Sequence, residues 1–210
     1  MSLISICFAV YENEGSLNVL YNKIINELQK NFPYYDYELI FVNDGSKDNS
    51  LSVLKELNSN DSKVKIISFS RNFGQMAAIL AGWDYAKGDV VINMAADLQD
   101  PPEQCVEMLK EWKNGNDIVV SYRKSHKTSL KKKISSRLFY KFLLPNVPPG
   151  GFDFTLIDKK VLSYINNLKE RNRFYQYDIL WAGYNLKFIP YDKLERIIGK
   201  SQYNFFKRFN

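Results

Sequence analysis

At 210 residues, with 45% hydrophobic and 25% charged side chains, the chain is long enough for one domain with a sizeable core. Its single histidine, His126, excludes a His-cluster metal site and argues against Ser-His or Cys-His nucleophilic catalysis. Cys7 and Cys105 lack metal or redox spacing and read as reduced core thiols. The net charge of +6 suits an anionic membrane face, phosphorylated substrates or nucleic acid.

No apolar run approaches the roughly 18–20 residues of a membrane-spanning helix, and Leu3–Val10 is too short and strand-like for the core of a cleaved signal. Leu3–Val10 reads instead as a first strand. Ser16–Leu28 follows with Leu17, Leu20, Ile24 and Leu28 at helical spacing, and Pro33 closes that region. Tyr37–Val42 is a second strand ending in the turn Asn43-Asp44-Gly45-Ser46, where glycine permits positive φ. Asp48 or Ser46 then caps a helix over Ser50–Leu57. Lys63–Phe69 is a third strand, Gln75–Ala86 a helix of small residues able to pack closely on a sheet, and Asp89–Ile92 a fourth strand.

The order β-α-β-α-β-α-β implies an α/β fold with a parallel sheet and right-handed crossovers. Every strand in this half ends in polar residues: Glu12–Glu14, Asn43–Ser46, Ser70–Asn72 and Asp97–Asp100. In an open α/β sheet the carboxyl ends of strands are where ligands bind. Asn93–Glu103 is the richest of these ends, with Asp97, Gln99 and Asp100 before Pro101-Pro102, a pair that stops a strand and primes a helix. Such oxygen ligands suit a hard cation holding a phosphate, or simply cap the helix that follows. Neither G-x-G-x-x-G nor a P-loop follows any strand, so metal and side chains must hold a diphosphate.

The second half continues with a helix around Pro102–Asn114 and a strand over Asp117–Tyr122. A basic stretch, Arg123–Lys141, then carries Leu130, Ile134, Leu138 and Phe142 at helical spacing. It reads as an amphipathic helix at about 129–144, either a solvated surface helix or an interfacial one drawn to anionic lipid. A Pro/Gly loop over Pro145–Gly151 delivers Phe152-Asp153-Phe154. Asp158–Asn166 and Phe174–Trp181 read as helices and Leu186–Pro190 as a late strand.

These features together resemble a family 2 glycosyltransferase of the GT-A fold, closest to the dolichyl- and undecaprenyl-phosphate branch. The resemblance runs from Ile4 to about Tyr203. It is carried by Val10-Tyr11-Glu12-Asn13-Glu14, Phe41-Val42-Asn43-Asp44-Gly45-Ser46, Ser70-Arg71-Asn72-Phe73-Gly74, Ala96-Asp97-Leu98-Gln99-Asp100-Pro101-Pro102-Glu103 and Gly199-Lys200-Ser201.

The resemblance implies a Rossmann-like, mostly parallel central sheet flanked by helices. It puts the nucleotide-sugar half at 1–122 and the acceptor half at 123–210. It implies donor binding by Tyr11, Asn13, Asp44, Arg71, Asp97, Arg196 and Lys200, and a Mg²⁺ or Mn²⁺ site at Asp97 and Gln99. Arg123 and Arg137 match positions used for acceptor or donor phosphates, and Asp153 an acidic position near the reaction centre. The sequence departs from the family pattern at Ala9, Asn43, Ala95, Thr155 and Gln202. Ala95 replaces a usual metal-ligand Asp; water and phosphate oxygens can complete the octahedron, with weaker binding in the absence of donor.

A lipid-phosphate acceptor is already anionic and needs positioning, for which guanidinium groups at Arg123 and Arg137 are suited. That favours inverting transfer from a nucleotide sugar, UDP before GDP, to undecaprenyl phosphate at the cytoplasmic membrane face. A chain of this kind is expected to continue into membrane helices. A sugar-hydroxyl acceptor would instead require a base, Asp153 or Asp100. A non-catalytic nucleotide-sugar-binding module is the third reading. Nucleic acid is set aside, because no aromatic residues interleave with the basic run as a stacking platform needs.

Overall fold

The computed structural model describes residues 2–124, 152–168 and 174–195. Seven strands form one sheet in the order β3-β2-β1-β4-β6-β5-β7. In chain order they are β1 (Leu3–Val10), β2 (Asp36–Asn43), β3 (Val64–Ser68), β4 (Val90–Ala95), β5 (Ile118–Arg123), β6 (Phe154–Asp158) and β7 (Leu186–Tyr191). The helices are α1 (Leu17–Asn31), α2 (Ser50–Asn60), α3 (Gln75–Tyr85), α4 (Glu103–Lys113), α5 (Lys159–Asn166) and α6 (Tyr175–Trp181).

The strands alternate their side chains between two cores. Ile4, Ile6, Phe8, Leu39, Phe41, Ile92 and Met94 bury on the face covered by α1, α2 and α4. Cys7, Ile40, Val42, Val91, Val120 and Ile157 bury on the face covered by α3, α5 and α6. Helices on both faces explain why the central strands are apolar at nearly every position. The small residues of α3 do what their size predicts: a Cβ at Gly82 would meet Cys7 Cβ at 3.2 Å, so this helix lies almost on β1. Both cysteines are free and buried, and burial pushes both thiols well above their ordinary range.

Three details differ from the sequence expectation. Strand β4 runs on through Asn93, Met94 and Ala95, because these residues keep pairing with β1, Ala9 opposite Ala95. The cap position of α2 is Asn49, and no side chain caps it there; Asp48 Oδ1 accepts from the Ser50 amide at 3.0 Å, while Ser46 Oγ accepts from the Glu12 amide. Most consequentially, Phe154–Asp158 is a strand, where a loop leading to a helix was expected. It inserts antiparallel between β4 and β5. The basic helix expected at about 129–144, the loop at Pro145–Gly151 and the end of the chain lie outside the described residues.

Candidate functional site

Strands β1, β2, β3, β4, β5 and β7 run in one direction, so their carboxyl ends share one edge of the sheet. Because β6 runs the opposite way, the residue that enters it, Asp153, arrives at that same edge. The sheet order therefore sets a sequence of groups along the edge. Asp44 follows β2, Tyr11 follows β1, Asp97–Asp100 follow β4, Asp153 precedes β6, Arg123 ends β5, and Lys193 follows β7.

The first loops are stitched together by short polar residues. The Tyr11 amide donates to Asn13 Oδ1 at 2.9 Å, the Glu12 amide to Ser46 Oγ at 3.0 Å, and the Asn13 amide to Ser50 Oγ at 2.9 Å. Glu12 takes a positive φ of 55° to make this turn. Asp44 is buried, and its two oxygens accept from the amides of Phe73 (2.6 Å) and Gly74 (2.9 Å), which shape the β3–α3 loop. Asn43 is buried alongside, donating to Ser68 Oγ and accepting from the Ser46 amide. Partial burial first, then the neighbouring Glu12 charge, hold the Tyr11 phenol above its ordinary value, so it stays a hydroxyl. Arg71 lies over the exposed Phe73 ring, 4.1 Å from its centroid.

The β4 exit is held more tightly. Leu98 adopts φ 62° with its side chain buried, and the Gln99 amide donates to Asp97 Oδ1 at 3.1 Å. A leucine in the left-handed region costs on the order of 1–3 kcal/mol and persists only where packing imposes it. The result is a loop whose Asp97 carboxylate is set by backbone geometry. Ser16 Oγ donates to the Ala96 carbonyl at 2.7 Å, tying this loop to the start of α1.

Asp100 is 3% exposed and occupies a supporting place. It accepts from the Tyr191 hydroxyl at 2.6 Å and from the Ala95 amide at 3.2 Å. Burial raises its carboxyl above the usual range, against the Tyr191 hydrogen bond, which lowers it. Arg123 Nε donates in turn to Tyr191 Oη at 3.5 Å. Gln99 latches the other end of the segment: its carbonyl accepts from the Leu194 amide at 2.8 Å, and its Nε2 donates to the Leu194 carbonyl at 3.4 Å. These bonds lay residues 191–194 on the Asp97–Asp100 loop and bring Lys193 among charges. Burial first, then Arg123, pull the Lys193 ammonium below its ordinary value, while Asp100, Asp97 and Asp153 oppose that.

Tyr191→Phe should destabilise the protein by about 1–3 kcal/mol, the usual loss when a buried polar group gives up its hydrogen-bond partner. Urea unfolding of the two proteins reads this directly.

Asp153 is positioned by α6 and β4. Tyr175 Oη donates to its Oδ1 at 2.8 Å, Gln176 Nε2 to the same oxygen at 3.2 Å, and Asn93 Nδ2 to its carbonyl at 2.7 Å. Asn93 Oδ1, Thr155 Oγ1 and Gln176 Oε1 are buried and have no hydrogen-bond partner among the described residues. Asn93 and Thr155 are register partners, so two of these acceptors lie side by side behind Asp153.

Of the residues singled out from sequence, Tyr11, Asp97, Asp153 and Arg123 reach the edge. Asn13, Asp44 and Asp100 make backbone-holding bonds there, Gln99 latches Leu194, and Arg71 lies on Phe73. Arg137, Arg196 and Lys200 lie outside the described residues. Sequence reasoning passed over Asn93, Tyr175, Gln176, Tyr191 and Lys193. Asn93 alone carried a signal, an amide within an otherwise apolar strand.

Among the described residues no three His, Cys, Asp or Glu groups converge as a metal site. One carboxylate, Asp97, fits a hard cation that draws its other ligands from diphosphate oxygens and water.

Residues 5–181 match the model of a family described as Glycosyl transferase family 2. The uncharacterized glycosyltransferase YkcC of Bacillus subtilis (strain 168) is 39% identical over 207 residues, which is 95% of this chain and 62% of that protein. The bactoprenol glucosyl transferase of Shigella phage SfV is 36% identical over 212 residues, 99% of this chain and 68% of that one. The chain thus spans under two thirds of YkcC. Among solved structures, a mannosyltransferase of Pyrobaculum calidifontis in complex with GDP-Man and Mn²⁺ superposes with a TM-score of 0.63 at 13% identity, over 93% of this chain and 57% of that one. Glucosyl-3-phosphoglycerate synthase of Mycobacterium tuberculosis, in complex with Mn²⁺, UDP-glucose and phosphoglyceric acid, gives 0.60 at 16% identity, over 90% and 70%. At such identities these two structures speak to the fold.

Proposed function

This chain belongs to glycosyl transferase family 2 and has the GT-A fold, and on that premise we propose that it transfers one sugar, with inversion, from a nucleotide sugar to a polyprenyl phosphate at the cytoplasmic membrane face. The observation that carries this reading is the order of groups along the sheet edge. Tyr11 and the Asp44 loop lie on one side, Asp97 in the middle, then Asp153, Arg123 and Lys193. A donor laid along that edge with its base toward β2 has its diphosphate at Asp97 and its sugar toward Asp153. The acceptor then enters from the β5–β7 side. The bactoprenol glucosyl transferases among the relatives support a lipid phosphate. A uridine donor is preferred to a guanosine one. The chain divides by role into a donor half, 1–122, and an acceptor half, 123–210.

In the reaction an acceptor phosphate oxygen attacks the anomeric carbon, the bond from that carbon to the donor diphosphate breaks, and a nucleoside diphosphate leaves. No proton has to be removed. Asp97, with Gln99 beside it, would hold Mg²⁺ or Mn²⁺, which supplies Lewis-acid stabilisation of the leaving diphosphate. Arg123 gives a fixed, always-charged fork for a phosphate, steadied by Tyr191, and Lys193 adds a second cation within the same ring of carboxylates. Arg137 is assigned to the acceptor phosphate, and Arg196 and Lys200 to the donor, on the family resemblance. Asp153, fixed by Tyr175 and Gln176, orients the sugar and balances the two cations.

Arg123→Ala should lower acceptor kcat/KM by about 10²-fold, the scale of a lost charged phosphate contact. Donor affinity should stay within about threefold, read by thermal shift with UDP-sugars and Mn²⁺. Equal loss on both sides would place Arg123 on the donor instead. The hydroxyl-acceptor reading draws on the hydrogen-bonded Asp153 carboxylate as base. On that reading Asp153→Asn abolishes transfer, because the hydroxyl must lose its proton; a phosphate acceptor already carries the attacking anionic oxygen, and the variant keeps measurable transfer.

A further inference from the structure

Helix α6 has two aromatic faces. Its inner face buries Tyr175 and Ile179, and Tyr175 and Gln176 grip Asp153. Its outer face carries Tyr177 and Trp181, four residues apart and so on one side of the helix, and Phe174 stands at its N-cap. These three are 48%, 49% and 61% exposed. Trp181 stacks on Tyr164 at 6.4 Å between centroids, and Tyr164 meets Tyr184 at 6.3 Å, so the stripe continues into a wider aromatic surface. Lys160 lies 5.9 Å from the Tyr184 ring. An exposed apolar surface of this kind marks an interaction site.

We propose that the outer face of α6, through Phe174, Tyr177 and Trp181, seats the protein on the headgroup region of an anionic bilayer. The proposal rests on the lipid-phosphate reading above and adds the surface by which the enzyme meets the lipid. Three observations select a bilayer over a protein partner. The stripe is aromatic without aliphatic residues, and two of its three rings carry a polar tip, the amphipathic type that concentrates at membrane–water boundaries. The chain is cationic overall, and Lys169, Arg171 and Arg173 precede the stripe in sequence against a single Glu170, which complements anionic headgroups. Finally, the helix that bears the stripe also holds Asp153. Because Tyr175 and Gln176 hold Asp153 from the other side of the helix, seating the outer face on headgroups keeps the reaction centre within one helix diameter, about 10–12 Å, of the lipid surface.

The test uses tryptophan fluorescence of the full chain with vesicles of phosphatidylglycerol and phosphatidylcholine, with and without brominated acyl chains. Trp83 is buried and Trp112 partly buried, so Trp181→Phe isolates the exposed indole. Expected are a blue shift and bromolipid quenching in the wild type, both absent in Trp181→Phe. Partitioning should fall at least tenfold in the Phe174→Ser/Tyr177→Ser/Trp181→Ser variant. Unquenched Trp181 on a protein that still sediments with vesicles would overturn the proposal, placing attachment elsewhere. So would no vesicle binding, or self-association that the triple variant abolishes, which would make a second copy the occupant. A donor thermal shift on the same proteins separates the two readings. A shift without Trp181 quenching removes this surface and keeps the transferase, whereas quenching without any shift does the reverse.

Discussion

Asp97→Asn is expected to cut sugar transfer by about 10²- to 10³-fold while leaving the protein folded, the loss typical of removing one group that stabilises a leaving-group charge. The asparagine side chain keeps an oxygen for the Gln99 amide, which Asp97 Oδ1 accepts at 3.1 Å, so the left-handed turn at Leu98 survives. Only the negative charge is lost. Donor binding measured by thermal shift should lose its Mn²⁺ dependence in the variant. The effect should be unusually complete here, because Ala95 leaves Asp97 without a second carboxylate in the Ala95–Asp97–Gln99 pattern. The converse substitution, Ala95→Asp, should strengthen Mn²⁺ binding in the absence of donor. Transfer by Asp97→Asn at wild-type rates would remove Asp97 from the reaction and leave a metal-independent site.

Gly45→Ala should be the most damaging single-atom change in the donor half. Gly45 has φ 66°, and a Cβ there would meet the Arg71 carbonyl carbon at 2.4 Å and the Asn72 nitrogen at 2.6 Å. These are backbone atoms, so no side-chain rotation relieves the contact. The loop they belong to is pinned on its other side by Asp44, which accepts from the Phe73 and Gly74 amides. Conformational strain alone costs on the order of 1–2 kcal/mol, and overpacking typically adds about 1–3 more. Against a total stability of about 5–15 kcal/mol this is a large share. Gly115 provides the internal comparison: its φ is 95° but a Cβ there meets nothing within 4 Å, so Gly115→Ala should show the strain cost by itself. Urea midpoints of the two variants measure the difference. Equal losses would mean that the β3–α3 loop moves aside freely.

Most of the secondary structure was legible along the chain because its causes are local. The apolar spacing in Leu17–Leu28 and the short apolar runs of β1 to β4 each follow from neighbours a few residues apart. So do the polar ends of those strands, and the rule that parallel strands present their carboxyl ends together placed Glu12–Glu14, Asn43–Ser46, Ser70–Asn72 and Asp97–Asp100 on one edge; Tyr11 was singled out by the family resemblance. The cysteines could likewise be read as reduced core residues, which is how they are found.

What only the tertiary structure decided was which distant residues meet. Phe154–Asp158 carries no pattern that distinguishes an antiparallel insertion from a run into the next helix. Its place between β4 and β5 is fixed by register with both, Asn93 opposite Thr155 and Val120 opposite Thr155. That reversal brings Asp153 to the edge where the parallel strands end. The same holds for Asp100, which in sequence is one more carboxylate in a polar loop; 91 residues later Tyr191 closes on it and makes it a support. Tyr175, Gln176 and Lys193 act for the same reason, through partners far away in sequence. Hydrophobic periodicity is a property of a segment and can be read from it, whereas strand order and burial are properties of the whole chain's packing.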